Sequence, residues 1–127
     1  EAKQNLNNTL MKFFFIQTRD IDDSKNVMRF LKNEFIELKD ENKSGMQLAL
    51  NVLKETDLRN EVQKIDKPTL IIAGDKDRLT SSKASIWLYE KIKGATLKEI
   101  KGANHMPFIS HREIMTESVK KFLQNDQ

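Results

Sequence analysis

The feature that most constrains this chain is a change of hydrophobic rhythm at Ile65. Residues 1–65 hold no proline and one glycine, with apolar side chains at helical spacing. Beyond them come two short apolar runs, each closing in a loop that carries a polar side chain. Pro68 is excluded from a helix interior, because it lacks an N–H and its ring clashes with the preceding turn. The run Thr69-Leu70-Ile71-Ile72-Ala73 that follows is β-branched and closed by Gly74, the pattern of a buried parallel strand. Residues 80–82 offer helix caps, Ala84, Trp87, Leu88, Lys91 and Ile92 recur at helical spacing, and Gly94 ends that helix. Residues 96–100 read as a second strand. Ser110-His111-Arg112-Glu113 reads as a capping box for a last helix through Ile114, Met115, Val119, Phe122 and Leu123. The order strand, helix, strand, helix predicts an α/β fold class with parallel strands and a right-handed crossover.

The segment before Ile65 predicts a run of short helices. Leu6, Leu10, Phe13 and Phe14 form one apolar stripe, and Val27, Phe30, Leu31, Phe35 and Leu38 a second. Ser24, preceded by Asp22 and Asp23, is the expected cap of the second helix, where negative charge suits the positive end of the helix dipole. A third helix is expected to open at Ser44-Gly45-Met46-Gln47 and run through Ala49, Leu50 and Leu53. The boundary divides the chain into residues 1–64, helical, and 65–127, α/β.

Charge narrows the partners. The 22 basic and 19 acidic residues leave a net charge of +3, and residues 1–65 balance 11 against 11, so the excess lies in residues 66–127. Nucleic-acid binding usually needs clustered Lys and Arg with interleaved aromatics, and none is expected. No run reaches the roughly 20 apolar residues of a membrane span. The first residues have neither the basic region nor the apolar stretch of a secretory signal, which predicts a cytoplasmic protein. Cysteine is absent, which removes disulfides and thiolate nucleophiles. With two histidines and no cysteine, neither a structural zinc site nor a cofactor is expected.

The polar residues after the strands carry the chemistry. In open α/β sheets, reactive groups lie just past the carboxyl ends of the strands, which is where Asp77 and His105 fall. Neighbouring strands would bring them together as the acid and base of a triad: the carboxylate fixes the imidazole tautomer and stabilises the imidazolium, and the other ring nitrogen takes a proton from a serine. The plainer reading is a turn aspartate and a loop histidine with local hydrogen bonds. Asp75, nearer the glycine, competes with Asp77 for the acid role. His111 reads as a helix-start residue.

Residues 68–122, with "PTLIIAGDKDRLT" and "IKGANHMPF", resemble the C-terminal portion of the α/β-hydrolase family. The resemblance implies Asp77 as acid and His105 as base, with the preceding helices as the family's lid over the active site. One branch is particularly similar, the pimeloyl-acyl-carrier-protein methyl ester esterases of biotin synthesis. Residues 13–18 (Phe-Phe-Phe-Ile-Gln-Thr), 25–32, 53–59 (Leu-Lys-Glu-Thr-Asp-Leu-Arg) and 107–111 (Pro-Phe-Ile-Ser-His) carry that likeness. It implies a substrate on an acidic acyl-carrier protein, met by Lys12, Lys25 and Arg29. Phe13, Phe14, Met28 and Phe30 would line an acyl tunnel, although aromatic and Met stripes are more often plain packing.

In this family's chain order the nucleophile lies upstream of acid and base. None of Ser24, Ser44, Ser81, Ser82, Ser85, Ser110 and Ser118 has a glycine two residues before it, so no Gly-x-Ser-x-Gly elbow is present. The expectation is the lid plus the last two strands of a hydrolase sheet, inactive alone. It would complete itself with a missing N-terminal half or associate with itself through the open strand edge. Two other readings remain: a hydrolase of the same fold with haloperoxidase-like or carbon–carbon bond chemistry, and a binding module without catalysis.

Overall fold

A computed structural model describes residues 2–19, 23–35 and 42–125 of the 127-residue chain. Three helices come first: α1 (Ala2–Thr18), α2 (Ser24–Phe35) and α3 (Asn42–Glu55). A 3-10 turn at Val62–Lys64 leads to β1 (Thr69–Gly74), α4 (Ser82–Lys91), β2 (Ala95–Ile100), the short α5 (Pro107–Ser110) and α6 (Arg112–Asn125). The strands are parallel neighbours in register from Thr69 opposite Ala95 to Gly74 opposite Ile100. Both therefore end at the same level, and the loops that follow them emerge side by side.

Local chemistry accounts for the boundaries. The Ser81 hydroxyl accepts the Lys83 N–H at 3.3 Å and caps α4, satisfying one of the donors that a helix start leaves open. Gly94 has φ +75°, a left-handed conformation that permits the turn into β2. Three expected helix starts form differently, one of them α3, which opens at Asn42, so that Ser44 lies within its first turn. The Asp23 carbonyl accepts from Val27 N–H at 3.1 Å, so Asp23, at φ 60°, holds the cap position and Ser24 is the first helical residue. Ser110 lies inside α5, where its hydroxyl donates to the Met106 carbonyl at 3.2 Å. The residue preceding α6 is His111, whose carbonyl accepts from Met115 N–H. The extra turn begun by Pro107 displaces the expected capping box.

Phe14, Val27 and Leu31 form a buried cluster, joined by Leu10, Met11, Met28, Met106 and Ile109. It fastens α1 and α2 to the loop and short helix that follow β2. Full burial of side chains of this size is worth about 1.5–3 kcal/mol each. The stripes are narrower than their spacing suggests: Phe13 and Phe30 are exposed, as are Leu50 and Leu53 of α3. The side chains of Leu6 and Phe35, together with Leu38 and Asp22, lie outside the described residues. Under the sheet, Ala73, Ile92, Ile100 and Ala103 are buried. Among the described residues β1 pairs on one edge only, and Leu70, Ile71 and Ile72 stay half-buried.

Gly74 is required where the two loops meet. A methyl group there would collide with the carbonyl oxygens of Ala103 and Asn104, the latter at 2.5 Å. Because both obstacles are main chain, neither can swing aside. Gly74→Ala should therefore cost about 1–3 kcal/mol, the usual range for overpacking a tight site, read as a lower urea midpoint. A midpoint equal to that of the parent would show that the loop does not press on this position.

Candidate active site

The turn after β1 and the turn after β2 are stitched together by main-chain hydrogen bonds. Lys76 N–H donates to the Ala103 carbonyl at 2.9 Å, and Asp75 N–H to the Ile100 carbonyl at 3.3 Å. The Asp75 carboxylate accepts the Gly102 N–H at 2.7 Å. Gly102 sits at φ +80°, which lets the chain reverse. Asp75 is thus engaged with the backbone of the second turn. Asp77, two residues on, is left to face the imidazole.

Asp77 Oδ2 and His105 Nδ1 are 2.8 Å apart. The same carboxylate accepts Leu79 N–H at 2.8 Å and Thr80 N–H at 2.9 Å through Oδ1, and the Thr80 hydroxyl at 2.6 Å through Oδ2. Its side chain is 9% exposed against 33% for His105. Burial pushes the Asp77 carboxyl upward, the largest single effect. The hydrogen bonds from Thr80, His105 and Leu79 together outweigh it and hold the group below its ordinary value of 3.8. Asp77 is then ionised at neutral pH and can only accept, so the neutral imidazole carries its proton on Nδ1 and keeps a lone pair on Nε2. That is the tautomer a general base needs.

The other expected site residues stand apart. Lys12, Phe13, Lys25 and Arg29 are exposed on α1 and α2. The Phe13 ring lies 6.0 Å from that of Phe14 at 59°, and Arg29 hydrogen-bonds the Asn26 side chain. No hydrogen bond or ion pair among the described residues ties any of the four to Asp77 or His105. An apolar cavity of about 460 Å³ opens between α2, α5 and α1, lined by Phe14, Phe30, Leu31, Met106, Phe108 and Ile109 with Glu34 and Arg112 at its edge. It begins one residue from His105. Of the four residues expected in an acyl tunnel, Phe14 and Phe30 line it, whereas Phe13 and Met28 do not. His111 pairs with the Ser110 hydroxyl through Nδ1 at 2.9 Å, away from Asp77. Among the described residues, no group of three or more His, Asp or Glu side chains could hold a metal ion.

Three polar residues escaped the sequence reading. Thr80 stood there as a possible helix cap, yet its hydroxyl and N–H both serve Asp77; a threonine three residues after a turn aspartate is the signal that would have found it. Asn104 is 1% exposed and bonds the His105 N–H. Gln17 is equally buried, with neither amide atom partnered among the described residues.

Compared with known protein families, residues 3–112 match the alpha/beta hydrolase fold. The chain belongs to the α/β-hydrolase family. It is 31% identical over 127 residues to the pimeloyl-[acyl-carrier protein] methyl ester esterase of Wigglesworthia glossinidia brevipalpis, covering 98% of this chain and 49% of that protein. It is 32% identical over 126 residues to the enzyme of the same name from Xylella fastidiosa strain M12, covering 97% and 49%. An esterase from Exiguobacterium antarcticum superposes with a TM-score of 0.81 at 24% identity, over 96% of this chain and 44% of that one, a likeness of fold. The chain spans about half the length of the curated relatives it matches.

The depressed carboxyl fixes the sign of the acid response. Ionised Asp77 contributes its full stabilisation above its unfolded value, near 3.8, and loses it as pH falls through the lower folded value. In Thr80→Val, which deletes the 2.6 Å hydroxyl contact, the Asp77 carboxyl should titrate at higher pH than in the parent, followed by carboxyl carbon NMR. An unchanged midpoint would remove Thr80 from the site.

Proposed function

We propose that this chain supplies the acid and base of a serine carboxylic ester hydrolase that cleaves the methyl ester of pimeloyl-acyl-carrier protein in the cytoplasm. The observation that carries the reading is the 2.8 Å contact between an ionised, shielded Asp77 and His105. The names of relatives matched along nearly the whole chain support the substrate.

In this mechanism His105 Nε2 takes the proton of a serine hydroxyl as it attacks the ester carbonyl. It then returns the proton to the departing methoxide, leaving an acyl-serine. Water, deprotonated by the same nitrogen, releases the acid and the proton goes back to the serine, Asp77 stabilising the imidazolium in both halves. The nucleophile and the oxyanion donors are contributed by residues outside these 127, since no serine here stands in an elbow sequence. Without them the 127 residues alone do not hydrolyse esters. The free edge of β1 is the joint through which the nucleophile-bearing strands, or a second copy, add to the sheet.

Residues 1–64 serve as the lid. The cavity beside Met106 takes the acyl chain, with Phe13 behind it against the cavity-lining Phe14, and Lys12, Lys25 and Arg29 meet the acidic carrier. Among the described residues no helix is long and apolar enough to cross a membrane.

The test uses the enzyme containing this chain together with its nucleophile. His105→Ala should lower kcat/KM by about 10²–10⁴-fold, the range for a general base, while His111→Ala leaves it nearly unchanged. Equal losses would overturn the assignment of the loop histidine. In the same enzyme, Lys25→Glu with Arg29→Glu should weaken turnover of carrier-linked ester about tenfold or more, and added salt should do the same. A small soluble ester should be spared; equal effects on both substrates would make α2 an ordinary solvated face.

A further inference from the structure

We infer that Asn104 is a positioning residue for His105, a buried amide that fixes the main chain carrying the imidazole by clamping it to the end of α1. Its Oδ1 accepts the His105 N–H at 2.6 Å, and its Nδ2 donates to the Arg19 carbonyl at 3.3 Å, across 85 residues of sequence. The two neighbours dictate the amide's orientation. One is a donor and the other an acceptor, so a flipped carboxamide would set like against like at both ends. At 1% exposure, water has no access to replace either bond.

The geometry divides the work of holding the histidine. Asp77 restrains the ring from Nδ1, but a ring can keep that bond while its backbone rocks, and Nε2 would then sweep through an arc. Asn104 removes that freedom by fixing the peptide nitrogen next to the Cα from which the side chain departs. Its second bond reaches α1, which also contributes Phe14 to the cluster holding Met106 and Ile109. The histidine loop is therefore tied to α1 by one polar and one apolar contact on either side of residue 105. A displaced α1 end would be felt at the imidazole.

This inference rests on His105 being the general base, and its test separates the two ideas. With only two histidines in the chain, long-range proton–nitrogen spectra of histidine-labelled protein report the tautomer of His105, with His111 as internal reference. The parent should hold His105 in the Nδ1–H form. Asn104→Ala should keep that tautomer, because the Asp77 contact is untouched, but should shift or broaden the His105 ring signals as Nε2 samples an arc. In the complete enzyme it should lower kcat about tenfold or more with KM nearly unchanged, as expected for a misplaced reacting group. A folded Asn104→Ala protein with parental His105 signals and kcat would overturn the role, whatever the fate of His105→Ala. Should that variant fail to fold, the parent decides. Asn104 side-chain amide protons that exchange far more slowly than those of the exposed Gln47 support the clamp, and equal exchange overturns it.

Discussion

The carbonyl groups of Ala103 and Asn104 occupy the space that a side chain at position 74 would fill. That close approach of one main chain to another is the constraint from which the site follows. It needs a glycine at the end of β1 and parallel strands that finish at the same level. It also needs backbone partners for the peptide groups it brings out of water, which Lys76 N–H and the Asp75 carboxylate provide. Once the two turns are locked, Asp77 and His105 have little freedom to be anywhere but opposite each other.

The electrostatics of the pair depend on the same packing. An aspartate this shielded would ordinarily resist ionisation, because charge is poorly solvated away from water. Here two backbone N–H groups and a hydroxyl converge on it before the imidazole is counted. The carboxylate stays charged without drawing a proton from the histidine. The donors are fixed by the turn, so the charge is held in one place beside the ring.

How much of this was legible in the sequence follows from what each residue type can signal. Pro68, the β-branched run and Gly74 located β1, and Gly94 located the start of β2, because those residues restrict the backbone by themselves. Asp77 and His105 could be named because reactive groups gather past strand ends. Position alone left Asp75 and Asp77 both open and the family resemblance implied Asp77; in the structure Asp75 is drawn to Gly102 while Asp77 faces His105. Spacing marked Phe13 and Phe30 as core, yet both are exposed, since a 3.6-residue period identifies a stripe but not which of its margins a neighbour covers. Asn104 carries no such local signal, because the Arg19 carbonyl that it meets is 85 residues away, whereas Thr80 serves an aspartate only three residues back, a spacing the sequence does display.

The central claim is that Asp77, rather than Asp75, holds the Nδ1 proton of His105. Proton NMR of nitrogen-15 histidine-labelled chain tests it directly. A far-downfield Nδ1 proton assigned to His105 should be present in the parent and survive Asp75→Asn at neutral pH, and it should be lost or move strongly upfield in Asp77→Asn. A resonance that persists unchanged in Asp77→Asn, or disappears in Asp75→Asn from a protein that remains folded, would contradict the account.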